Sequence, residues 1–239
     1  MSKIEYGPKT PLAQQIHATK YRQDGETFRD YANRVANALS DSTEHFHTLK
    51  DILRTQRFLP GGRIQSSVGS MRKTTAINCF VSQGIEDNMD SIMDAATKAA
   101  QTMRLGGGIG YDFSNIRPHG ERIKSLESKA SGPVSFMGIF DAVCQTIASA
   151  GHRRGAQMGT LRIDHPDILR FIHAKRDSTS LQGFNISVGV TDAFMHALTT
   201  GKMFPLEFGG RVYEVVDPRY LWDEIMRSTW EWAEPQSGL

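Results

Sequence analysis

Cysteine is scarce in this chain, which has only Cys79 and Cys144 among its 239 residues. Two cysteines give no disulfide framework, so the expected environment is a reducing cytoplasm. An excess of one charge is also missing, because 28 basic residues stand against 26 acidic ones. No apolar run approaches the roughly 18–20 residues that span a bilayer, and residues 1–15 lack the apolar stretch of a signal peptide. The sequence therefore predicts a cytoplasmic protein that binds neither nucleic acid nor a membrane.

The order of apolar segments predicts the fold class. Strands are predicted at 78–81, 109–113, 161–163 and 184–190, and a hairpin over 203–216. Amphipathic segments separate them; the one over 88–105 repeats apolar residues at helical spacing. Residues 1–60 are predicted to be helical. Strands that alternate with helices indicate an α/β architecture with parallel strands.

Local signals predict where several helices begin. N-caps are predicted at Ser42-Thr43, Asp87-Asn88 and Thr191, and Asp164 is predicted to cap a helix with Pro166 in its first turn. No strand is predicted after Trp232. The parallel sheet would then keep an open edge, which indicates that something else completes the fold.

Two glycine clusters leave alternatives open. Residues 106–110 either allow a ligand to approach the backbone or simply stop a helix. They do not fit the dinucleotide fingerprint, because they lead from a helix into a strand. Residues 151–159 carry two arginines among three glycines. This loop is suited either to phosphates and base edges or to a solvated turn, and we favour ligand contact.

The cysteines and histidines by themselves indicate packing. A free cysteine within a strand, such as Cys79, is more often a core residue than a reactive one, and Cys144 lies on an apolar helix face. His45 and His47 are two residues apart and so face different sides of a helix. His165 and His173 lack a carboxylate-rich partner set. No metal site is predicted.

Six segments together resemble one family, the catalytic subunit of ribonucleotide reductase, and are closest to its adenosylcobalamin-dependent branch. They occur in the family's order along nearly the whole chain: LPGGRIQSSVG (59–69), NCFVS (78–82), LGGGIGYDFSNIRPHG (105–120), SAGHRRGAQMG (149–159), DHPDILRFIHAKRD (164–177) and FNISVGVTDAFM (184–195). The resemblance implies a helical region over 1–58, followed over 59–239 by the first half of a ten-stranded α/β barrel that is incomplete in this chain.

The resemblance also implies chemistry. In the family a thiyl radical removes the 3′ hydrogen of a ribonucleotide, and two cysteines then reduce the 2′ carbon and become a disulfide. Cys79 matches the first of these two cysteines, which reverses its interpretation as a core residue. A thioredoxin-like or glutaredoxin-like reductant must restore the thiols.

Binding residues are likewise implied by the resemblance. Asn78 and Gly108 match positions that hold the substrate. Further substrate candidates are Arg63, Ser66, Ser67 and, in the loop over 149–157, Arg153. Candidates for binding a deoxynucleotide or ATP effector are Asp87, Asn88, Met89, Arg117 and Lys124. The family's effector site commonly lies at a dimer interface, so a dimer is expected.

The family's radical cysteine and second reducing cysteine have no counterpart here, because no cysteine follows Cys144. The expectation is an N-terminal fragment of a split reductase, inactive until a C-terminal chain completes it. Adenosylcobalamin is the expected radical source, with a separate metal-bearing radical subunit as the other candidate. The alternative function is a non-catalytic nucleotide-binding or assembly module.

Overall fold

The computed structural model describes residues 6–123, 127–147, 156–176 and 180–238. These residues form two units, one of residues 6–78 and one that begins at Cys79. The first unit thus includes residues 59–78, which the resemblance assigns to the barrel half. The family's own domain boundary at 58/59 stays a prediction.

The first unit is helical, as predicted. Its helices are α1 (Pro11–Lys20), α2 (Phe28–Leu39), α3 (Thr43–Thr55) and α4 (Gly62–Ser67). Thr27 and Asp30 form a capping box at the start of α2, and the predicted cap Ser42 accepts a hydrogen bond from the backbone N–H of His45. Tyr31 and Val35 of α2 pack with Leu53 of α3 in a small core.

The second unit alternates strands and helices. In chain order its elements are β1 (Cys79–Val81), α5 (Met89–Arg104), β2 (Gly108–Asp112), β3 (Arg122–Ile123), β4 (Ser128–Lys129), α6 (Pro133–Thr146), β5 (Gln157–Arg162), α7 (Ile168–Ile172), β6 (Phe184–Gly189), α8 (Asp192–Thr200), β7 (Phe204–Phe208), β8 (Arg211–Val216), α9 (Pro218–Trp232) and β9 (Gln236–Gly238). The predicted caps Asn88 and Thr191 each accept a hydrogen bond from the first turn of their helix. The predicted α/β class is confirmed.

The main sheet has five strands in the order β1-β2-β5-β6-β9, and every neighbouring pair is parallel. The prediction that no strand follows Trp232 was wrong, because β9 pairs with β6 through Ser187 and Gln236. All three residues of β9 are exposed, so the strand has no apolar alternation that a sequence pattern could detect. Within the described residues the sheet does not close on itself, and β1 and β9 are its edges.

The two faces of this sheet differ. One face carries Ile109, Tyr111, Leu161 and Phe184, which are buried beneath helices in the main core. The rings of Tyr111 and Phe140 of α6 meet there edge to face at 4.8 Å between centroids. The residues that alternate with them point to the other face, which we call the uncovered face. It carries Cys79 and Val81 of β1, Gly108 and Gly110 of β2, Met158 of β5 and Asn185 of β6.

The helix after β5 begins later than predicted. The Asp164 carboxylate accepts two hydrogen bonds from the Arg162 guanidinium and caps nothing, whereas α7 begins at Ile168 after Asp167. The ion pair with Arg162 therefore replaces the predicted cap. No helix among the described residues is long and apolar enough to cross a membrane.

Candidate active site and effector site

Cys79 lies at the start of an edge strand with its thiol free and accessible. It is the first residue of β1, it is exposed, and in the parallel register its Cα is the partner of the Gly108 Cα. The structure thus brings together two residues that the sequence analysis assigned to one site. Asn78, which directly precedes Cys79 in the chain, is also exposed.

The uncovered face beside Cys79 offers space for a ligand. Val81 is 92% exposed, and its register partner across β2 is Gly110. Gly110 in turn pairs with Met158, and Met158 with Asn185. Glycine has no side chain to fill the volume above the sheet, and a Cβ added to Gly110 would meet nothing nearer than Cβ of Met158 at 3.8 Å, so the backbone of β2 at Gly110 is open to close approach.

The second cysteine cannot serve as the redox partner of Cys79. Cys144 lies on α6 in the core beneath the sheet, whereas Cys79 points to the uncovered face because its neighbour Phe80 packs against that core. Burial and the nearby Asp141 carboxylate raise the pKa of the Cys144 thiol, which keeps it protonated and unreactive. The prediction that Cys144 is a core residue is confirmed.

Close packing behind Cys79 fixes the position of β1. A Cβ placed on Gly107 would lie 2.6 Å from Cε2 of the Phe80 ring and 3.0 Å from Cγ2 of Thr102. Only a glycine therefore lets the Phe80 ring approach this closely to the turn that joins α5 to β2. The ring holds β1 from the core side while Cys79 projects from the other side.

Gly107→Ala is expected to destabilise the chain by about 1–3 kcal/mol, because Phe80 must leave its position to admit the methyl group. The measurement is the urea midpoint of unfolding. Gly84→Ala is the matched control, since no atom lies within 4 Å of its added Cβ. Equal midpoints for the two variants would show that the contact with Phe80 does not restrict the side chain at position 107.

A second cluster joins the predicted effector residues. The Asp87 carboxylate accepts hydrogen bonds from the Arg117 backbone N–H at 3.1 Å and from Arg117 Nε at 2.6 Å. Arg117 Nη2 also donates to the Asp87 carbonyl at 3.3 Å. Asn88 caps α5 through the backbone N–H of Ser91 at 2.8 Å, and Met89 beside it is 57% exposed. The structure therefore brings Asp87, Asn88, Met89 and Arg117 together at the start of α5.

This cluster has the chemistry to bind an anion. The Arg117 side chain is about one-third exposed, and a guanidinium has five N–H donors, more than its contacts with Asp87 use. The exposed part of the group can thus donate to phosphate oxygens while Asp87 holds the rest. Asp87 itself is an acceptor, suited to a sugar hydroxyl or a base N–H rather than to phosphate.

Three of the remaining predicted residues belong to the first unit, and two are not described. Arg63, Ser66 and Ser67 are on α4 of the first unit, where Ser66 Oγ donates to the Arg63 carbonyl at 3.3 Å and Ser67 Oγ donates to the same carbonyl. Ser67 is buried. Arg153 and Lys124 lie outside the described residues.

The predicted loop over 149–157 ends before Gln157. Gln157 is buried in β5, where its amide accepts from the Tyr111 hydroxyl at 2.9 Å and donates to the Phe140 carbonyl at 3.0 Å. These bonds tie the first residue of β5 to β2 and α6. Gln157 therefore belongs to the sheet and not to the predicted loop.

A polar cavity that the sequence analysis did not anticipate lies at the carboxyl ends of β2 and β5. Its volume is about 350 Å³, and its lining includes Ser114, Arg162, Asp164 and Glu207. A smaller cavity of about 220 Å³ lies beside α5 and is lined by Ser82, Glu86 and Lys98, among others. Among the described residues, no three His, Cys, Asp or Glu side chains converge as metal ligands would.

Comparisons with known proteins agree on one family. The family model described as "Ribonucleotide reductase, barrel domain" matches residues 77–237. The chain is 39% identical over 195 residues to the vitamin B12-dependent ribonucleoside-diphosphate reductase of Mycobacterium tuberculosis H37Rv, covering 80% of this chain and 27% of that protein. It is 32% identical over 212 residues to the reductase of the same name from Thermoplasma acidophilum, covering 87% of this chain and 27% of that protein.

A solved structure shares the fold. The Actinobacillus ureae class Id ribonucleotide reductase alpha subunit matches with a TM-score of 0.78 at 21% identity, covering 99% of this chain and 40% of that one. The chain spans about a quarter of the length of the curated relatives it matches.

Proposed function

The chain belongs to the ribonucleotide reductase family, and from that premise we propose that it is the N-terminal part of a catalytic subunit that reduces ribonucleotides to deoxyribonucleotides. It supplies one reducing cysteine, part of the substrate site and the effector site. A C-terminal chain supplies the radical cysteine, the second reducing cysteine and the rest of the barrel, and the chain alone is inactive.

The exposed thiol of Cys79 is the observation that carries this proposal. Reduction at the 2′ carbon removes its hydroxyl as water and needs two electrons. Two thiols provide them by forming a disulfide, which a thioredoxin-like or glutaredoxin-like protein reduces again. Cys144 is buried beneath the sheet, so the partner thiol of Cys79 must come from another part of the enzyme.

The open edges and the uncovered face of the sheet support the proposal that a second chain completes the barrel. Parallel sheets in proteins have both faces covered, but Cys79, Val81, Met158 and Asn185 on the uncovered face are exposed. The strands β1 and β9 are also unpaired on their outer sides within the described residues. A second half of the barrel would pair with both edges and enclose the space in front of Cys79.

Adenosylcobalamin is the proposed radical source, because several relatives are named as vitamin B12-dependent. The cavities of about 350 and 220 Å³ described above do not fit it. Pockets for drug-sized ligands run from about 300 to 1,000 Å³, and a corrin with its adenosyl group is larger than such ligands. Neither of these two cavities can therefore hold the cofactor alone, and we propose that the completing chain contributes to its site. A separate radical subunit is the alternative source.

The competing function is a nucleotide-binding or assembly module without catalysis. A binding module would use the cluster of Asp87 and Arg117. It would have no use for the accessible thiol of Cys79, which lies beside the glycines of β2. We therefore favour the catalytic role.

The proposal is tested by mass spectrometry of the proteins that copurify with the chain from its native cell. A partner that carries an Asn-x-Cys-x-Glu segment and a further cysteine is expected. The mixture is then assayed with a ribonucleoside diphosphate and a dithiol, with and without adenosylcobalamin. Turnover only in the presence of both chains is the expected result. A folded, monodisperse chain without such a partner would instead favour the binding module.

Arg117→Ala is expected to weaken binding of a deoxynucleoside triphosphate about 10- to 100-fold, because hydrogen bonds to charged groups contribute roughly 1.5–3 kcal/mol. The measurement is a calorimetric titration of the full chain. Arg104→Ala, which removes an exposed arginine at the far end of α5, is the control and should bind as the wild type does. An isotherm unchanged by Arg117→Ala would exclude the proposed effector site.

A further inference from the structure

The segment DHPD (164–167) connects β5 to α7. Two of its side chains reach back to the loop that follows β2. His165 Nε2 lies 2.9 Å from the Ile116 carbonyl oxygen, and the Asp167 carboxylate accepts from the His119 backbone N–H at 2.8 Å. The two contacts lie on either side of Arg117 in the sequence.

Both side chains are held inside the protein. His165 is 1% exposed and Asp167 is 6% exposed. The Asp167 backbone N–H donates to His165 Nδ1 at 3.0 Å, so Nδ1 is the acceptor and Nε2 carries the hydrogen that is donated to Ile116. Burial lowers the pKa of His165 below its usual 6.5, which favours the neutral ring that this arrangement needs. The two residues therefore form one preorganised unit.

The loop around Arg117 is held by individual hydrogen bonds, which at its far end include the Gly120 N–H donating to the Ala130 carbonyl at 2.9 Å. Residues 113–121 contain no helix or strand, so their backbone groups need partners elsewhere. Phe113 accepts from the N–H of Ile116 at 3.1 Å, and Asp87 accepts from the N–H of Arg117. With the contacts from His165 and Asp167, the backbone is fixed before, at and after Arg117.

We propose that His165 and Asp167 are positioning residues for Arg117: they hold its backbone where the guanidinium meets the phosphates of a deoxynucleotide effector. This inference rests on the effector site proposed above and deepens it. A group that is fixed in advance loses less conformational freedom when the ligand binds, so affinity depends on the two residues although neither contacts the ligand. The carboxylate of Asp167 acts through its hydrogen bond and not through its charge.

The test titrates the full chain, in its complex where one is found, with the four deoxynucleoside triphosphates and follows the one that binds tightest. Asp167→Ala is expected to raise its dissociation constant about 10-fold, as the loss of one well-placed hydrogen bond to a charged group does. Asp167→Asn keeps an acceptor oxygen for His119 and is expected to bind within about 3-fold of the wild type. His165→Gln keeps an N–H donor for the Ile116 carbonyl. Its affinity for the effector is expected to lie between those of His165→Ala and the wild type.

A double-mutant cycle separates positioning from a general structural role. In the Arg117→Ala background, Asp167→Ala is expected to cause no further loss of affinity, because the group that it positions is gone. An equal 10-fold loss in both backgrounds overturns the inference, and so does an unchanged affinity in Asp167→Ala alone. In either case a loss caused by Arg117→Ala would leave the effector site itself intact.

Two further outcomes are also decisive. If Arg117→Ala binds as the wild type does, the effector site fails and the inference fails with it. If thermal melting shows that Asp167→Ala does not fold, the same cycle is run with His165→Gln, and additivity with Arg117→Ala then overturns the inference.

Discussion

Cys79→Ser is expected to abolish multiple turnover of ribonucleotide reduction by the reconstituted complex, even with excess dithiol. A serine hydroxyl cannot form a disulfide, so the second reducing cysteine would have no partner and the two electrons could not be delivered. The expected loss is on the order of 10³-fold or more, the scale found when one member of a catalytic unit is removed. The measurement is deoxyribonucleotide formed per complex over many turnovers.

Cys144→Ser is the matched control, with the same substitution at a buried thiol that faces the core. It is expected to keep turnover. Alkylation by iodoacetamide followed by peptide mass spectrometry should also separate the two thiols, modifying Cys79 in the folded chain and sparing Cys144. Multiple turnover retained by Cys79→Ser would remove Cys79 from the reducing pair, whatever the alkylation result.

Gly132→Ala is expected to reduce the free energy of unfolding by about 2–6 kcal/mol. Gly132 precedes α6 with φ 80° and ψ 167°, a backbone region in which a side chain costs roughly 1–3 kcal/mol. Its added Cβ would lie 2.5 Å from the Asp167 carboxylate and 2.8 Å from the His119 backbone nitrogen. The methyl group would therefore break the hydrogen bond between them, at a further cost of about 1–3 kcal/mol. Urea denaturation of the full chain measures the sum.

Gly120→Ala separates the two contributions. Gly120 also has a positive φ, 82°, but no atom lies within 4 Å of its added Cβ. This variant carries the strain of a positive φ without the crowding, so it should lose about 1–3 kcal/mol. If both variants lost the same free energy, the contact of Asp167 with His119 would contribute nothing to stability.

Local features were predictable because their causes are local. The caps Ser42, Asn88 and Thr191 each bond to a backbone N–H three residues later, so a short stretch of sequence contains the whole interaction. The alternation of strands and helices predicted the α/β class for the same reason. The burial of Cys144 followed from the apolar face of a single helix.

Features without a local pattern were missed. The strand β9 is exposed along its whole length and is formed by backbone pairing with β6, which side-chain periodicity does not record. The predicted N-cap at Asp164 was wrong because the Asp164 carboxylate is hydrogen-bonded to the Arg162 guanidinium instead. Cys79 looked like a core residue until family motifs indicated otherwise, since a strand of three residues does not show which face is covered.

The sequence by itself determined the family, the order of the elements and the residue types that carry the proposed chemistry. Motifs and short-range periodicity involve residues that are close together in the chain, so the sequence shows them directly. Only the tertiary structure decided which residues meet. Asp87 and Arg117 are 30 residues apart, and His165 lies 49 residues from Ile116. Such contacts depend on how parallel strands and their crossing helices bring distant loops together, and no local pattern specifies that geometry.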